Sequence, residues 1–438
     1  MATPVVTPAE MTAIDQAAPE PVEVLVERAG AAVARIALDM LGGAYGRRVV
    51  VVAGKGNNGA DGRAAAVRLR RRGVRVEVFD AAAAPDRLPA ADLVIDAAYG
   101  TGFRGEYKAP DRGGTAVLAV DIPSGVDGLT GEAGEGAVRA ARTVTFAAWK
   151  PGLLLGAGRD LAGEVTVADI GLDVSSATAR LVERSDVATW LPSRPADAHK
   201  WQSAVYVVAG SPGMTGAANL CARAAMRAGA GTVRLGVPGV APDPRFLEVV
   251  GRPIPADDWA GAVLEDAERV KALVVGPGLG RSAAASRSVS RLLAEALQPM
   301  VVDADALAAG LEYRVDAVLT PHEGEFARLT GSKPGPDRLA AVRSLAAKTG
   351  ATVLLKGSTT IVAEPGGRAL FAAAGDSRLA TAGTGDVLSG IIGAFLAMGL
   401  HPLQAAGLGA YVHGAAGRLG PVHGLVAGDL LDLIPRVL

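Results

Sequence analysis

The chain has 438 residues, half of them hydrophobic and 20% charged, with a formal net charge of −1. Single cores stop growing near about 250–300 residues, so two or three domains are expected, and the near-neutral charge argues against a nucleic-acid or anionic-membrane surface. The single cysteine, Cys221, excludes an internal disulfide and fits a reducing compartment.

Residues 1–20 carry Asp15 and several prolines but no cationic region followed by an apolar block, so no signal peptide is expected. No run of about 18 uninterrupted apolar residues occurs, which predicts no membrane span and a cytoplasmic protein. Val49–Ala53, Val74–Phe79, Leu93–Asp96, Ala116–Asp121, Thr143–Ala147 and Gly163–Asp169 read as strands, with a helix over Ala60–Arg72. This order predicts an α/β fold with a parallel sheet covered by helices on both faces. The pattern lapses from Asp173 to Ala198 and breaks at Leu191-Pro192-Ser193-Arg194-Pro195, which predicts domains over 1–195 and 196–438.

Alternation then restarts. Strands are expected at Val205–Ala209, Val233–Val237, Leu273–Val275, Met300–Asp303, Ala317–Leu319 and Thr352–Lys356. Helices are expected at Gly216–Ala228, Arg338–Thr349, Asp386–Met398 and Pro402–Leu419. Cys221 lies in the Ala-rich stretch Ala217–Ala230, which predicts a small buried thiol rather than a nucleophile.

The chemistry-bearing residues cluster at expected strand ends. Val49–Ala53 runs into Gly54-Lys55-Gly56-Asn57-Asn58-Gly59-Ala60-Asp61-Gly62, formally G-x-G-x-x-G, with Glu77 or Asp80 placed to mimic a ribose-binding acid. That keeps a Rossmann dehydrogenase open, although Asn57, Asn58 and Asp61 suit oxygen-atom binding of a ligand or hard cation better than close dinucleotide packing. Further strand ends supply Asp96 with Gly100-Thr101-Gly102-Phe103-Arg104-Gly105-Glu106, and Asp121-Ile122-Pro123-Ser124-Gly125-Val126-Asp127-Gly128. In a parallel sheet these ends face one crevice, so Asn58, Asp96, Asp121 and Ser124 are expected to converge: each alone reads better as a cap or turn residue, but several consecutive strands ending this way favour a site.

These segments, with Lys150-Pro151-Gly152, resemble the NAD(P)H-hydrate epimerase domain over roughly residues 5–175. The resemblance implies a Rossmann-like fold and interconversion of the R and S hydrates of NADH and NADPH (NADHX and NADPHX). It implies substrate binding by Asn57, Asn58, Gly59, Ala60 and Asp61 and by Gly100, Thr101, Gly102, Phe103, Arg104, Gly105 and Glu106. Asp121 would act beside the reacting ring, and Asn58, Asp96 and Ser124 would contact a potassium ion. Ala60 departs from that family, which usually has glycine there; its methyl is expected to narrow the phosphate approach mildly.

The second half repeats the arrangement. Gly210-Ser211, Gly276-Pro277-Gly278-Leu279-Gly280, Asp303 with Asp305, Pro321-His322-Glu323-Gly324-Glu325 and Lys356-Gly357-Ser358-Thr359-Thr360 stand at expected strand ends, and Thr215-Gly216-Ala217-Ala218 opens the Ala-rich helix. Gly383-Thr384-Gly385-Asp386 opens an apolar helix, placing converging N–H groups and a positive helix end beside a carboxylate, an anion hole with a base. The plainer readings are that His322 caps the helix beginning at Glu323 and that Lys356 is a solvated strand-end cation.

The series is similar to the ADP/ATP-dependent NAD(P)H-hydrate dehydratase of the ribokinase-like superfamily, over about residues 196–437. That implies substrate contacts from Ala217, Gly278, His322 and Asp386, nucleotide contacts from Lys356, Gly357, Ser358, Thr359, Thr360 and Gly385, and Asp386 as base. Magnesium with ADP or ATP is implied, ADP being preferred, with Asp303, Asp305 and Glu325 as candidates for the magnesium environment. A homo-oligomer is expected. The alternatives are a ribokinase-like small-molecule kinase with a regulatory first domain, a non-enzymatic dinucleotide sensor or RNA-associated scaffold, and a Rossmann dehydrogenase.

Overall fold

The computed structural model describes residues 3–103, 105, 107–243, 248–308, 310–313 and 315–438. Two compact units result, residues 3–179 and 180–438.

In the first unit, β1 (Thr3–Val5) and the helices α1 (Pro8–Gln16) and α2 (Val22–Leu41) precede β2 (Arg48–Ala53). Then come α3 (Asn57–Arg71), β3 (Arg75–Asp80), β4 (Leu93–Ala97), β5 (Val117–Val120), β6 (Arg142–Phe146), α4 (Gly156–Leu161) and β7 (Glu164–Ala168). The sheet order is β3-β2-β4-β5-β6-β7, and every pairing is parallel. The near-continuous apolar strands β4 and β5 are buried along their whole length, as strands covered on both faces must be. Strand order reverses between β2 and β4, so the crevice at their C-terminal ends is where a ligand site is expected.

The helix expected over Ala60–Arg72 begins three residues earlier, because the Ala60 N–H bonds the Gly56 carbonyl and draws Asn57 and Asn58 into the first turn. A methyl on Gly59 would lie 1.9 Å from the Gly54 carbonyl oxygen, so the turn closes only with glycine there. Helix α1 is started by a capping box: Thr7 accepts the Glu10 N–H, and Glu10 accepts the Thr7 N–H.

The second unit opens with β8 (Ala179–Leu181) and α5 (Arg184–Trp190), followed by β9 (Ala204–Val208), α6 (Thr215–Arg227), β10 (Thr232–Pro238) and β11 (Val249–Ile254). Next are α7 (Ala260–Asp266), β12 (Ala272–Val275), α8 (Ala283–Glu295), β13 (Met300–Val302), β14 (Ala317–Leu319), α9 (Glu323–Thr330) and α10 (Arg338–Thr349). The chain closes with β15 (Thr352–Leu355), β16 (Thr360–Ala363), β17 (Ala369–Ala372), α11 (Thr384–Ala397), α12 (Pro402–Leu419) and α13 (Ala427–Leu433). Residues 180–195 belong to this unit: the Val182 N–H bonds the Phe371 carbonyl, and α5 packs on α12.

The strands run β8-β17-β16-β15-β14-β13-β12-β9-β10-β11. Pairing is parallel from β11 to β15, but β15-β16-β17 is antiparallel, a hairpin that the expected parallel alternation did not include. Its turn is closed by the Gly367 N–H on the Glu364 carbonyl, with Gly367 at φ 85°.

Helix α11 is buried almost all round and lies between α6, α12 and the sheet. Small residues make that possible: a Cβ on Gly390 would sit 2.1 Å from the Cys221 carbonyl oxygen, and one on Gly393 2.4 Å from Val274 Cγ2. Cys221 is a buried free thiol, raised well above its ordinary pKa by burial and by Asp386 and Asp303. Gly390→Ala is expected to cost about 1–3 kcal/mol by overpacking. Urea unfolding followed by tryptophan fluorescence checks it, since Trp190, Trp201 and Trp259 of the four tryptophans lie in this unit. An unchanged midpoint would contradict the close α6–α11 approach.

Candidate active sites

In the first unit the C-terminal ends of β2, β4, β5 and β6 open onto a cavity of about 950 Å³. Asn57, Asn58, Asp61, Gly100, Thr101, Gly102, Phe103 and Asp121 line it, joined by Asp15 and Lys150. Gly59, Ala60 and Gly105 are not on its wall, so the Ala60 methyl does not narrow it; Arg104 and Glu106 lie outside the described residues. Asp80 lines the cavity beside Arg63, 3.8 Å away, whereas Glu77 is exposed on β3.

Asp121 follows β5 at φ 65°, a left-handed conformation that aspartate tolerates better than most residues. This turns its carboxylate onto Lys150 Nζ, 3.0 Å from Oδ1, and onto the Thr145 hydroxyl at 3.1 Å. Lys150 is 1% exposed and donates also to the Phe146 and Ala148 carbonyls, so it is held by oxygen atoms alone. A Cβ on Gly100 would lie 3.4 Å from Asn58 Cβ and 3.5 Å from Asp121 Oδ2; the three meet at one point of the wall.

Among the described residues no cation pairs with Asp61, which is buried on α3. Burial first, then the charges of Asp121 and Asp15, push its carboxyl up to about 8. Asp15, on α1, is raised by burial, opposed by Lys150 and reinforced by Asp121.

Asp96 and Ser124 lie one layer behind the wall. Asp96 accepts the Ser124 N–H at 2.8 Å and its hydroxyl at 2.7 Å, and the same hydroxyl accepts the Tyr99 N–H at 2.9 Å. Burial raises Asp96 to about 6, with the Ser124 hydrogen bonds opposing. Both polar atoms of the Asn58 amide are buried without a protein partner. Among the described residues no cluster of three or more His, Cys, Asp or Glu is arranged around a metal position.

In the second unit the ends of β13 and β15 meet the start of α11. Lys356 Nζ donates to Asp303 Oδ1 at 2.8 Å, and the Ser389 hydroxyl donates to Asp303 Oδ2 at 2.7 Å. Burial raises the Asp303 carboxyl, but Lys356 and these hydrogen bonds outweigh it and hold the group below its usual range. A Cβ on Gly385 would come within 3.4 Å of Lys356 Nζ, so the ammonium stands against the first turn of α11. Asp386, on that turn, is raised to about 6 by burial and by Asp303, with Lys356 opposing. Gly383 takes φ 89°, the left-handed N-cap that a side chain would strain.

Ala217 and Gly278 are neighbours, with a Cβ on Gly278 falling 3.0 Å from the Ala217 methyl. Lys356–Thr360 is the turn from β15 into β16; Thr359 is buried, and Thr360 already pairs with Ala372. The Lys356 N–H bonds the Pro321 carbonyl, which places His322 at the adjacent strand end. His322 caps α9: Nδ1 accepts from the Gly324 and Glu325 N–H groups at 3.0 and 3.3 Å, while Glu325 accepts the His322 N–H. Asp305 is engaged by the Gly280 N–H and the Arg281 guanidinium.

The family model described as NAD(P)H-hydrate dehydratase matches residues 205–436. The model described as YjeF-related protein N-terminus matches 22–89 and 79–152. A bifunctional NAD(P)H-hydrate repair enzyme of Moorella thermoacetica is 38% identical, covering 99% of this chain and 96% of its own length. The chain belongs to the bifunctional NAD(P)H-hydrate repair enzymes. The repair enzyme of Mycobacterium tuberculosis is 41% identical over 83% of this chain and 82% of its own. Among solved structures, the ADP/ATP-dependent NAD(P)H-hydrate dehydratase from Bacillus subtilis, co-crystallised with ATP/Mg2+, is 31% identical with a TM-score of 0.51 and covers 58% of this chain and 96% of that one. No helix among the described residues of the repair enzyme is long and apolar enough to cross a membrane.

The sequence reasoning missed Asp15, Thr145, Ser389 and the binding partner of Lys150. Asp15 and Ser389 sit inside helices at positions that look like ordinary surface and core. Only the spacing from the end of β6 to Lys150 offered a signal. Lys356→Met is expected to destabilise the second unit by about 3–5 kcal/mol, because Asp303 stays buried without its cation. A loss below about 1 kcal/mol in urea unfolding would show that the ion pair is not structural.

Proposed function

We propose that the first unit interconverts the R and S hydrates of NADH and NADPH, and that the second dehydrates the S form at the expense of ADP, or ATP, giving the reduced dinucleotide, AMP or ADP, and phosphate. The observation that carries the second assignment is Asp386. It stands on the first turn of α11 with no cation of its own, while Lys356 is held by Asp303 against Gly385.

The hydroxyl that water adds to a nicotinamide ring is a poor leaving group. Asp386 takes its proton, and the oxygen attacks the terminal phosphate. The first-turn N–H groups of α11, which no helical carbonyl can use, and Lys356 stabilise the charge that develops. Phosphate then leaves with the C–O electron pair, and loss of a proton from the adjacent carbon restores the double bond. Ala217, Gly278 and His322 would face the hydrate, and Lys356–Thr360 with Gly385 the nucleotide. Magnesium arrives with the nucleotide and supplies charge neutralisation. Because Asp303 and Asp305 are already engaged by protein donors, they and Glu325 would reach it through water.

In the first unit Asp121 works at the hydrated carbon, oriented by Lys150 and Thr145. Potassium is the cation that best fits Asn58, Asp96 and Ser124. The unpartnered Asn58 amide and the buried Asp96 carboxylate offer oxygen donors to a weakly demanding cation. It would supply charge to hold the substrate in place.

Asp386→Asn is expected to lower S-hydrate dehydration by about 10²–10⁴-fold while leaving R-to-S conversion unchanged, and Asp121→Asn the reverse. Equal loss of both activities in either variant would defeat the two-site assignment. Dehydration by the unmodified protein should decline as pH falls through about 6, where Asp386 takes up a proton and can no longer act as base. A rate independent of pH from 5 to 8 would argue against that role.

A further inference from the structure

We infer that Asp61 is the general acid of the epimerisation, delivering a proton to the departing hydroxyl while Asp121 serves as the base on the opposite face of the ring. This rests on the epimerase reading of the first unit. Both side chains line the same cavity, reaching it from different elements, Asp61 from α3 and Asp121 from the end of β5.

Their surroundings differ in one decisive respect. Asp121 is paired with the ammonium of Lys150 at 3.0 Å and with the Thr145 hydroxyl. Asp61 is 7% exposed, and the charges that bear on it are those of Asp121 and Asp15, both negative. Burying an ionised carboxylate without a cation is costly, so such a group keeps its proton. A carboxylate paired with an ammonium and a buried carboxyl that has none are matched to the base and the acid of one reaction. Among the described residues the remaining charged groups that line the cavity are Glu20, Lys55 and Asp80, none of which pairs with Asp61.

The chemistry balances with these two groups. Water added across an enamine double bond leaves its hydroxyl on the carbon bonded to nitrogen. The C–O bond breaks, its electron pair leaves with the oxygen, and the Asp61 proton makes that oxygen water. The ring-nitrogen lone pair forms a C=N+ bond in its place. A water then adds to the other face and gives its proton to Asp121. Solvent returns a proton to Asp61 and removes one from Asp121, and the reverse conversion uses the same carboxyls with their roles exchanged.

The test uses the full chain with purified R hydrate and excess nucleotide, reading recovery of reduced-nicotinamide absorbance above the enzyme-free rate, with S hydrate run in parallel. Conversion of R by the unmodified protein should fall as pH rises through about 8, where Asp61 loses its proton. Asp61→Asn should lower R conversion about 10²-fold or more, remove the alkaline decline from what remains, and leave S conversion unchanged. Asp61→Glu should restore part of the rate together with the alkaline decline. An Asn variant that converts R at the full rate, or that keeps the decline, overturns the proposal. Failure of the unmodified protein to convert R at any pH would overturn the epimerase reading and this assignment with it. Asn should also flatten a loss of stability between pH about 4 and about 8, because the raised Asp61 favours the folded state below its unfolded value and loses that contribution as pH climbs to the folded one.

Discussion

Each unit buries or half-buries one lysine at a strand end and gives it to a single carboxylate, Lys150 to Asp121 and Lys356 to Asp303. Among the described residues a second carboxyl of each site, Asp61 or Asp386, makes no ion pair. Burial first, and then the neighbouring carboxylates, drive that second carboxyl upward: Asp61 to about 8 and Asp386, with Lys356 opposing, to about 6. Buried charge of this kind is poor as a source of stability, since desolvation consumes most of the attraction. Its value here is chemical. It leaves one group that holds a proton near neutrality and another that takes one up only below about pH 6.

Topology makes both arrangements possible. In a parallel sheet all strand ends of one polarity open on the same side, and the reversal of strand order parts the following loops into a crevice. The reversal falls between β2 and β4 in the first unit and between β9 and β12 in the second. Glycine then sets how closely backbone approaches. Gly59 lets the first turn of α3 close on Gly54, and Gly390 lets α11 lie on α6 with its charged N-terminal turn beside Lys356.

Much of this was legible in the sequence, because apolar runs ending in Gly, Asn and Asp mark buried parallel strands followed by ligand loops. Ala317–Leu319, Arg338–Thr349 and Pro402–Leu419 begin and end where expected. Helices α1 and α2 were less legible: prolines flank both starts, and only α1 carries a capping box, Thr7 with Glu10. The β16–β17 hairpin was missed because its four-residue strands are too short for a period to show. Candidate site residues on loops were visible, since loops carry polar residues for a reason. Partners such as Ser389 and Asp15 were not, because what matters about them is which carboxyl they face. That is fixed by packing between residues far apart in the chain, 86 positions in the case of Ser389 and Asp303.

Two sites of this kind on one chain require that it repair both epimers. The full-length protein should be given an R and S mixture of the NADPH hydrate with ADP or ATP, following the reduced-nicotinamide absorbance and free phosphate together. Recovery of the whole hydrate pool, with one phosphate released for each dinucleotide restored, is the predicted result. Recovery that stops at the S fraction, or a stable phosphorylated product in place of free phosphate, would contradict it.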